Sequence, residues 1–285
     1  MSDRASVFLQ HSRNFGEFRF VYPVVSRRAR GVSVGVNLNP DKVCNFDCVY
    51  CQVDRRSPGN KAFVEMEQLR AELLAAIQLV QTGALFEHPT FAATPLPLRR
   101  LNDIAFSGDG EPTTFANFDA VIQLAADVRR AESLDDVKLV LITNASMFHR
   151  EVVQRGLAIL DENNGEIWAK LDAGTPEFFA KVARTRIPFE RILENITQAA
   201  QIRPIVIQSL FMRWFGSPPE EAEIEAYCMR LNEIVRRGGR IKGIQIYTVA
   251  RPPAESFVSP LNKDEIEAIA SRVAEKTGLP VATFL

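Results

Sequence analysis

Cys44, Cys48 and Cys51 fall in the order Cys-x-x-x-Cys-x-x-Cys. Three thiolates on one short loop can hold three irons of a cubane and leave the fourth open to a further ligand. Two other readings use the same residues. A zinc ion could take three cysteines and a distant fourth ligand. Small free cysteines are also ordinary core residues. His11, His88 and His149 are the only histidines, and none has local ligand spacing; Cys228 is the only other cysteine. Three clustered thiols and one distant one make a poor disulfide framework and a good ligand set.

Two further groups of polar residues could do chemistry. In Gly108-Asp109-Gly110-Glu111-Pro112-Thr113 the glycines let backbone approach a ligand closely, and Glu111 offers a carboxylate to an ammonium group. The same residues also make a good turn. Trp168, Lys170 and Asp172 alternate along one apolar run, and Gln245, Tyr247 and, just beyond, Arg251 alternate along another. Lys170 on such a face could touch a substrate, or form a buried ion pair with Asp172 or Glu166. Asp172 could equally cap a helix near Thr175 and Pro176.

Regular elements must position these groups. Strand-length apolar runs occur at 32–38, 103–107, 137–143, 166–172, 204–211 and 243–249, with helical spacing at 65–83, 117–131, 149–160, 188–201, 219–237 and 263–276. Strands alternating with helices predict an α/β fold with a parallel sheet and right-handed crossovers. The cysteine loop follows the first of these strands, at the carboxyl end where parallel α/β folds gather ligands. Polar faces on buried strands are costly unless they line a site, which favours a partial (β/α)6 TIM-type barrel over an open sheet. Residues 1–31 read as an N-terminal extension, 32–285 as one domain, and the Pro-rich stretch 84–102 as a surface excursion.

The chain has 285 residues, 46% hydrophobic and 24% charged, with net charge -1. That length suits one large domain, and the charge gives no global basic field for nucleic acid. Arg27, Arg28 and Arg30, and Arg236, Arg237 and Arg240, form local clusters read as solvated surface. The first residues lack the apolar core of a signal peptide and no run approaches a membrane span. A cytoplasmic location with reduced thiols is expected.

With an aromatic residue, Tyr50, just before its last cysteine, the cysteine motif resembles the signature of the radical S-adenosylmethionine superfamily. Three further segments match in order. Gly108 to Thr113 resembles the family's glycine–glycine–glutamate-type segment, Thr143-Asn144-Ala145-Ser146 its Thr-Asn-Gly element, and Leu171-Asp172-Ala173 the place of a ribose-binding polar residue. Within the superfamily, Phe106 to Thr113 and Lys170 to Phe179 are most similar to the wyosine-type tRNA group, the 4-demethylwyosine synthases. In this sequence residues 1–43 hold no cysteine, so that group's second cluster has no ligands there; Lys42 and Lys170 are candidates for its pyruvate-handling lysine.

The resemblance implies a [4Fe-4S] cluster on Cys44, Cys48 and Cys51 and S-adenosylmethionine as cofactors. Tyr50, Gly108, Asp109, Gly110, Glu111, Asn144, Asp172, Arg184, Tyr247 and Val249 are the implied cofactor contacts. Reduction by an external donor of flavodoxin or ferredoxin type would give methionine and a 5'-deoxyadenosyl radical that abstracts hydrogen from a substrate, with tRNA first in view. Two alternatives stand beside it. One is an activase or peptide-modifying enzyme, favoured by an unpaired C-terminal sheet edge. The other is a non-enzymatic iron–sulfur or zinc module, against which Gly110, Glu111, Asn144 and Asp172 argue.

Overall fold

The computed structural model describes residues 15–60 and 63–285. His11 and the remainder of 1–14 lie outside the described residues. Eight strands form one sheet in the order β1-β2-β3-β4-β5-β6-β8-β10. These are β1 (Val21–Ser26), β2 (Gly31–Val36), β3 (Leu101–Phe106), β4 (Lys138–Thr143), β5 (Gly165–Lys170), β6 (Ile205–Leu210), β8 (Ile241–Tyr247) and β10 (Val281–Phe284). β7 (Arg213–Trp214) and β9 (Val258–Ser259) make a separate antiparallel pair. Seven helices accompany them among the described residues: α1 (Met66–Thr82), α2 (Phe118–Ala131), α3 (Glu151–Glu162), α4 (Pro176–Ala183), α5 (Phe189–Ile202), α6 (Glu221–Arg236) and α7 (Lys263–Thr277). All six expected strands and six expected helices are present within a few residues of their expected bounds, and the α/β class holds.

The chain packs as two compact units. One comprises the segment ending at Cys44 with 58–142 and 151–166, and the other 45–57, 143–150 and 167–285. In the first unit β1 is antiparallel to β2, while β2, β3 and β4 run parallel. β1 lies inside the expected extension 1–31, so that part of the extension is a strand of the sheet. Pro23 hid it: a proline argues against a central strand but is tolerated at an edge, where β1 lies. Tyr22 pairs across from Gly35. A Cβ on Gly35 would collide with that ring, so the glycine makes room for it. The Tyr22 hydroxyl reaches the Ser107 carbonyl at 3.1 Å, fixing the end of β3 just before Gly108. Glu72 on α1 accepts from the backbone N–H groups of Arg19, Phe20 and Val21, anchoring the approach to β1.

The stretch 84–102 is mostly exposed or half-buried, as a surface excursion should be, but it also contributes to the core. It holds two short 3₁₀ turns, and Leu85, Phe86 and Phe91 are buried against Val25, Val32 and Val80. Its prolines break helices, but its aromatics close one end of this unit's core.

In the second unit β6, β8 and β10 run parallel, and β5 pairs with β6 in the same sense. The C-terminal tail pairs with β8 from Val281 opposite Ile244 to Phe284 opposite Tyr247, and it is the last strand of the sheet. The helix near Thr175 and Pro176 is α4, which was absent from the periodic segments; its cap is Thr175, which accepts from the Phe178 N–H, with Pro176 at its first position, and not Asp172. Glu223 at the start of α6 accepts from the Gly174 N–H and the Thr175 hydroxyl, locking that turn after β5. The capping box of Asn262 and Glu265 starts α7 and Gly278 in the left-handed region ends it.

Candidate functional site

The first unit carries the glycine segment. Asn37, just past β2, organises it: its Oδ1 accepts from the N–H groups of Asp109 (3.0 Å) and Asn39 (3.1 Å), and its Nδ2 donates to Asp109 Oδ2 (2.7 Å). A Cβ on Gly108 would run into the Asn37 side chain, and one on Gly110 into the Val43 carbonyl and Asn39. Gly110 therefore lets the segment lie directly on the backbone leading into Cys44. Glu111 is buried, and its Oε1 takes both the N–H and the hydroxyl of Thr113, at 3.2 and 2.6 Å. Its carboxylate is fixed in place by the turn it caps. The buried Asn39 Oδ1 has no hydrogen-bond partner, an orphaned acceptor on the segment that leads from β2 to Cys44. Neither Asn37 nor Asn39 was singled out in the sequence; Asn-x-Asn at a strand end was the available signal.

The second unit carries Cys48, Tyr50 and Cys51 with the ends of β5, β6 and β8. Cys51 N–H closes a turn on the Cys48 carbonyl at 2.9 Å, and the N–H groups of Asp47 and Val49 bond to the carbonyls at the end of α4. Tyr50 donates to Asp172, whose other oxygen accepts from Lys170 Nζ (3.2 Å) and the Leu210 N–H (2.7 Å). Lys170 Nζ also donates to the Tyr247 hydroxyl at 2.7 Å and lies 5.0 and 5.1 Å over the rings of Tyr50 and Tyr247. Val249 packs against Tyr50. Burial pushes Lys170 toward the neutral amine, but Asp172 and Tyr247 outweigh it and raise the ammonium above its ordinary value. The Tyr50 hydroxyl is raised well above the usual range, first by burial and then by Asp172.

Register explains the polar row. Lys170 is level with Gln208, and Gln208 with Gln245, and the two glutamines bond at 3.1 Å. Gln208 was overlooked because β6 reads as an uninterrupted buried strand, and only its register with Lys170 exposes its role. The alternative pairing of Lys170 with Glu166 is not adopted; Glu166 pairs with Lys138 at 3.0 Å.

Asn144 forms a tight turn, accepting from Ser146 N–H and hydroxyl, and donates 2.9 Å to Asn45, the residue after Cys44. Asn45 in turn donates to Ser146 Oγ at 2.7 Å. Arg184, in the left-handed region at the end of α4, pairs with Glu255 and lies 3.8 Å from Asp47. Cys228 is buried in α6 and its thiol is raised, first by burial. His88 packs 5.3 Å from Phe15 and 6.1 Å from Phe91.

Comparison with known proteins gives the class. The model of the radical SAM superfamily matches residues 38–213, more than half of the chain. The chain belongs to the radical SAM superfamily, whose cofactors are a [4Fe-4S] cluster and S-adenosylmethionine. More particularly, it is similar to UPF0026 protein MJ1312 of Methanocaldococcus jannaschii, 31% identical over 88% of this chain and 69% of that protein. It is also 22% identical to a protein named GTPase Obg from Brachyspira hyodysenteriae over 86% of this chain, and it spans only 32% of that protein's length. A radical SAM methyltransferase from Sphaerobacter thermophilus shares the fold with a TM-score of 0.64 at 13% identity, over 93% of this chain and 68% of that one. TYW1 with a lysine-pyruvate adduct bound matches at 0.53 and 14%, over 95% and 80%. These likenesses show the fold, the partial barrel expected from the sequence.

The donor set fits the cluster. Cys44, Cys48 and Cys51 are partly accessible, and Cys51 Sγ accepts from Arg55 at 3.6 Å. Among the described residues, no three His, Cys, Asp and Glu side chains gather into a set for a metal ion. The fit therefore rests on the order and chemistry of the loop rather than on a preformed cage. No helix of the described residues is long and apolar enough to cross a membrane.

Proposed function

We propose that Cys44, Cys48 and Cys51 hold one [4Fe-4S] cluster beside which S-adenosylmethionine binds. When bound, that pair supplies reductive cleavage to methionine and a 5'-deoxyadenosyl radical able to take hydrogen from a substrate. The observation that carries the reading is the bond from Tyr50, between two of the cysteines, to Asp172 at the end of β5. It ties the cysteine loop to the row of Lys170, Gln208, Gln245 and Tyr247. A purely structural cluster has no need of buried polar groups in such number.

Each residue then has a task. Glu111, held by Thr113, meets the methionine ammonium, with the Gly108-Asp109-Gly110 backbone beside it. Asn144 orients the loop through Asn45. Asp172 takes a ribose hydroxyl while keeping its internal donors, since each carboxylate oxygen can accept more than once. Tyr50, Tyr247 and Val249 flank adenine, Arg184 meets the cofactor carboxylate, and Lys170, kept charged, faces the substrate. The electron comes from an external donor of flavodoxin or ferredoxin type.

RNA is the substrate class the wyosine-type segments support. A protein substrate is the second reading, supported by β10 as the last strand of the sheet, an edge to which an extended peptide can add. The test is 5'-deoxyadenosine release by reconstituted, oxygen-free protein given tRNA or peptide pools. Stimulation by tRNA supports the first reading and by peptides the second. No release under either condition sinks both.

A further inference from the structure

We infer that Arg55 tunes the reduction of the cluster through its bond to the Cys51 sulfur, an inference that rests on the cluster reading above. Arg55 Nη2 lies 3.6 Å from Cys51 Sγ. A guanidinium is charged at every accessible pH. Adding an electron to a cluster adds negative charge at its sulfurs, and a fixed cation donating to one of them stabilises the reduced form.

The surrounding loop fixes this cation. Asp54 closes a turn by accepting from the Arg56 N–H at 3.1 Å and the Ser57 hydroxyl at 2.9 Å. The Cys51 carbonyl is held by the Ala254 N–H at 2.9 Å, and Gln52 donates to the Arg251 carbonyl at 3.3 Å. Arg55 is thus carried at a set place four residues past Cys51. Its neighbour Arg56 points elsewhere: its side chain is 97% exposed and pairs with Asp54. Two adjacent arginines of equal charge therefore stand in different places, one on the sulfur and one in solvent, and the second is a built-in control. The consequence is functional. A cluster easier to reduce can be charged by a weaker donor, at the expense of driving force for cofactor cleavage.

The test is the midpoint potential of the reconstituted cluster, read by electron paramagnetic resonance during a redox titration without S-adenosylmethionine. Wild type is compared with Arg55→Met, Arg55→Lys and Arg56→Met, each matched for iron content. A charge-assisted bond to one sulfur is worth about tenfold in the equilibrium for reduction. For one electron that is about 59 mV more negative in Arg55→Met. Arg55→Lys should recover part of the shift and Arg56→Met should show none. Equal shifts in Arg55→Met and Arg56→Met, or none in either, overturn the inference and leave the cluster reading intact. Should Arg55→Met hold no iron, Arg55→Gln carries the test; loss of iron there too makes Arg55 a holding residue and overturns tuning. Wild type that takes up no iron defeats the cluster reading itself, a distinguishable result.

Discussion

Lys170 and Asp172 form an ion pair 3.2 Å long on the strand end that receives Tyr50, and their side chains are only 16% and 12% exposed. A pair so withdrawn from water is costly to break and inexpensive to replace. Asp172→Ala leaves the ammonium buried beside the Tyr50 and Tyr247 rings without its carboxylate, and should destabilise the protein by about 3–5 kcal/mol. Replacing both members, as Lys170→Met with Asp172→Leu, should recover most of that loss. Thermal unfolding of the single and double variants checks it; equal losses in both would show that the pair contributes through shape alone.

Gly110 and Gly243 make opposite predictions for one added methyl group. A Cβ at Gly110 meets the Val43 carbonyl and the Asn39 side chain, whereas one at Gly243 meets nothing nearer than the Pro280 carbonyl at 3.5 Å. Gly110→Ala should lower the melting temperature and cut the iron taken up per chain at least severalfold, because the backbone before Cys44 must move. Gly243→Ala should leave both within error. Iron assay on the two variants side by side decides it.

A third prediction concerns pH. Asp103 on β3 accepts from Ser33 on β2, and burial raises its carboxyl to about 6 from 3.8 despite that bond and Lys138 opposite. Since the folded value lies above the unfolded one, the native state binds the extra proton. This contribution to stability is full below about 4 and lost as pH rises through about 6. Asp103→Asn removes the proton uptake, so its stability relative to wild type should rise by about 3 kcal/mol between pH 4 and pH 7. Denaturant unfolding at the two pH values would refute this if the difference stayed constant.

Tyr50→Phe removes one donor from Asp172 while keeping the ring packed on Val249. An Asp172 oxygen then loses its partner, which costs about 1–3 kcal/mol. Iron content should persist, because no ligand is touched, whereas affinity for S-adenosylmethionine should fall several-fold as the loop loosens. Equilibrium binding measured on reconstituted protein checks the fall; unchanged affinity would remove Tyr50 from the cofactor site.

Legibility divided along a physical line. β2, β3, β4, β5, β6 and β8 and most helices were readable because burial on one or both faces imposes a period, whereas the two-residue β7 is too short to show one. β1 was hidden by Pro23 and α4 by its short length, although Thr175-Pro176 marked its start. Of the residues assigned to the candidate site, the cysteines, Glu111, Asn144 and Asp172 were singled out from their order along the chain. Asn37, Asn39, Asn45, Gln208 and Arg55 were not, since their roles arise from register and turn geometry that bring a strand end or loop against a distant segment. Lys170 falls between: its face was read correctly, but its choice of Asp172 and Tyr247 over Glu166 is set by β5 and β8 in three dimensions.

The most direct test of the account compares oxygen-free reconstituted wild type with a Cys44→Ala, Cys48→Ala, Cys51→Ala variant, each reduced with dithionite and given S-adenosylmethionine. Iron, sulfide, 5'-deoxyadenosine and methionine are quantified. The account predicts about four irons per wild-type chain, as the cubane requires, with release of 5'-deoxyadenosine, and neither in the variant. A wild type that binds zinc in place of iron, or a variant that still cleaves the cofactor, would contradict it.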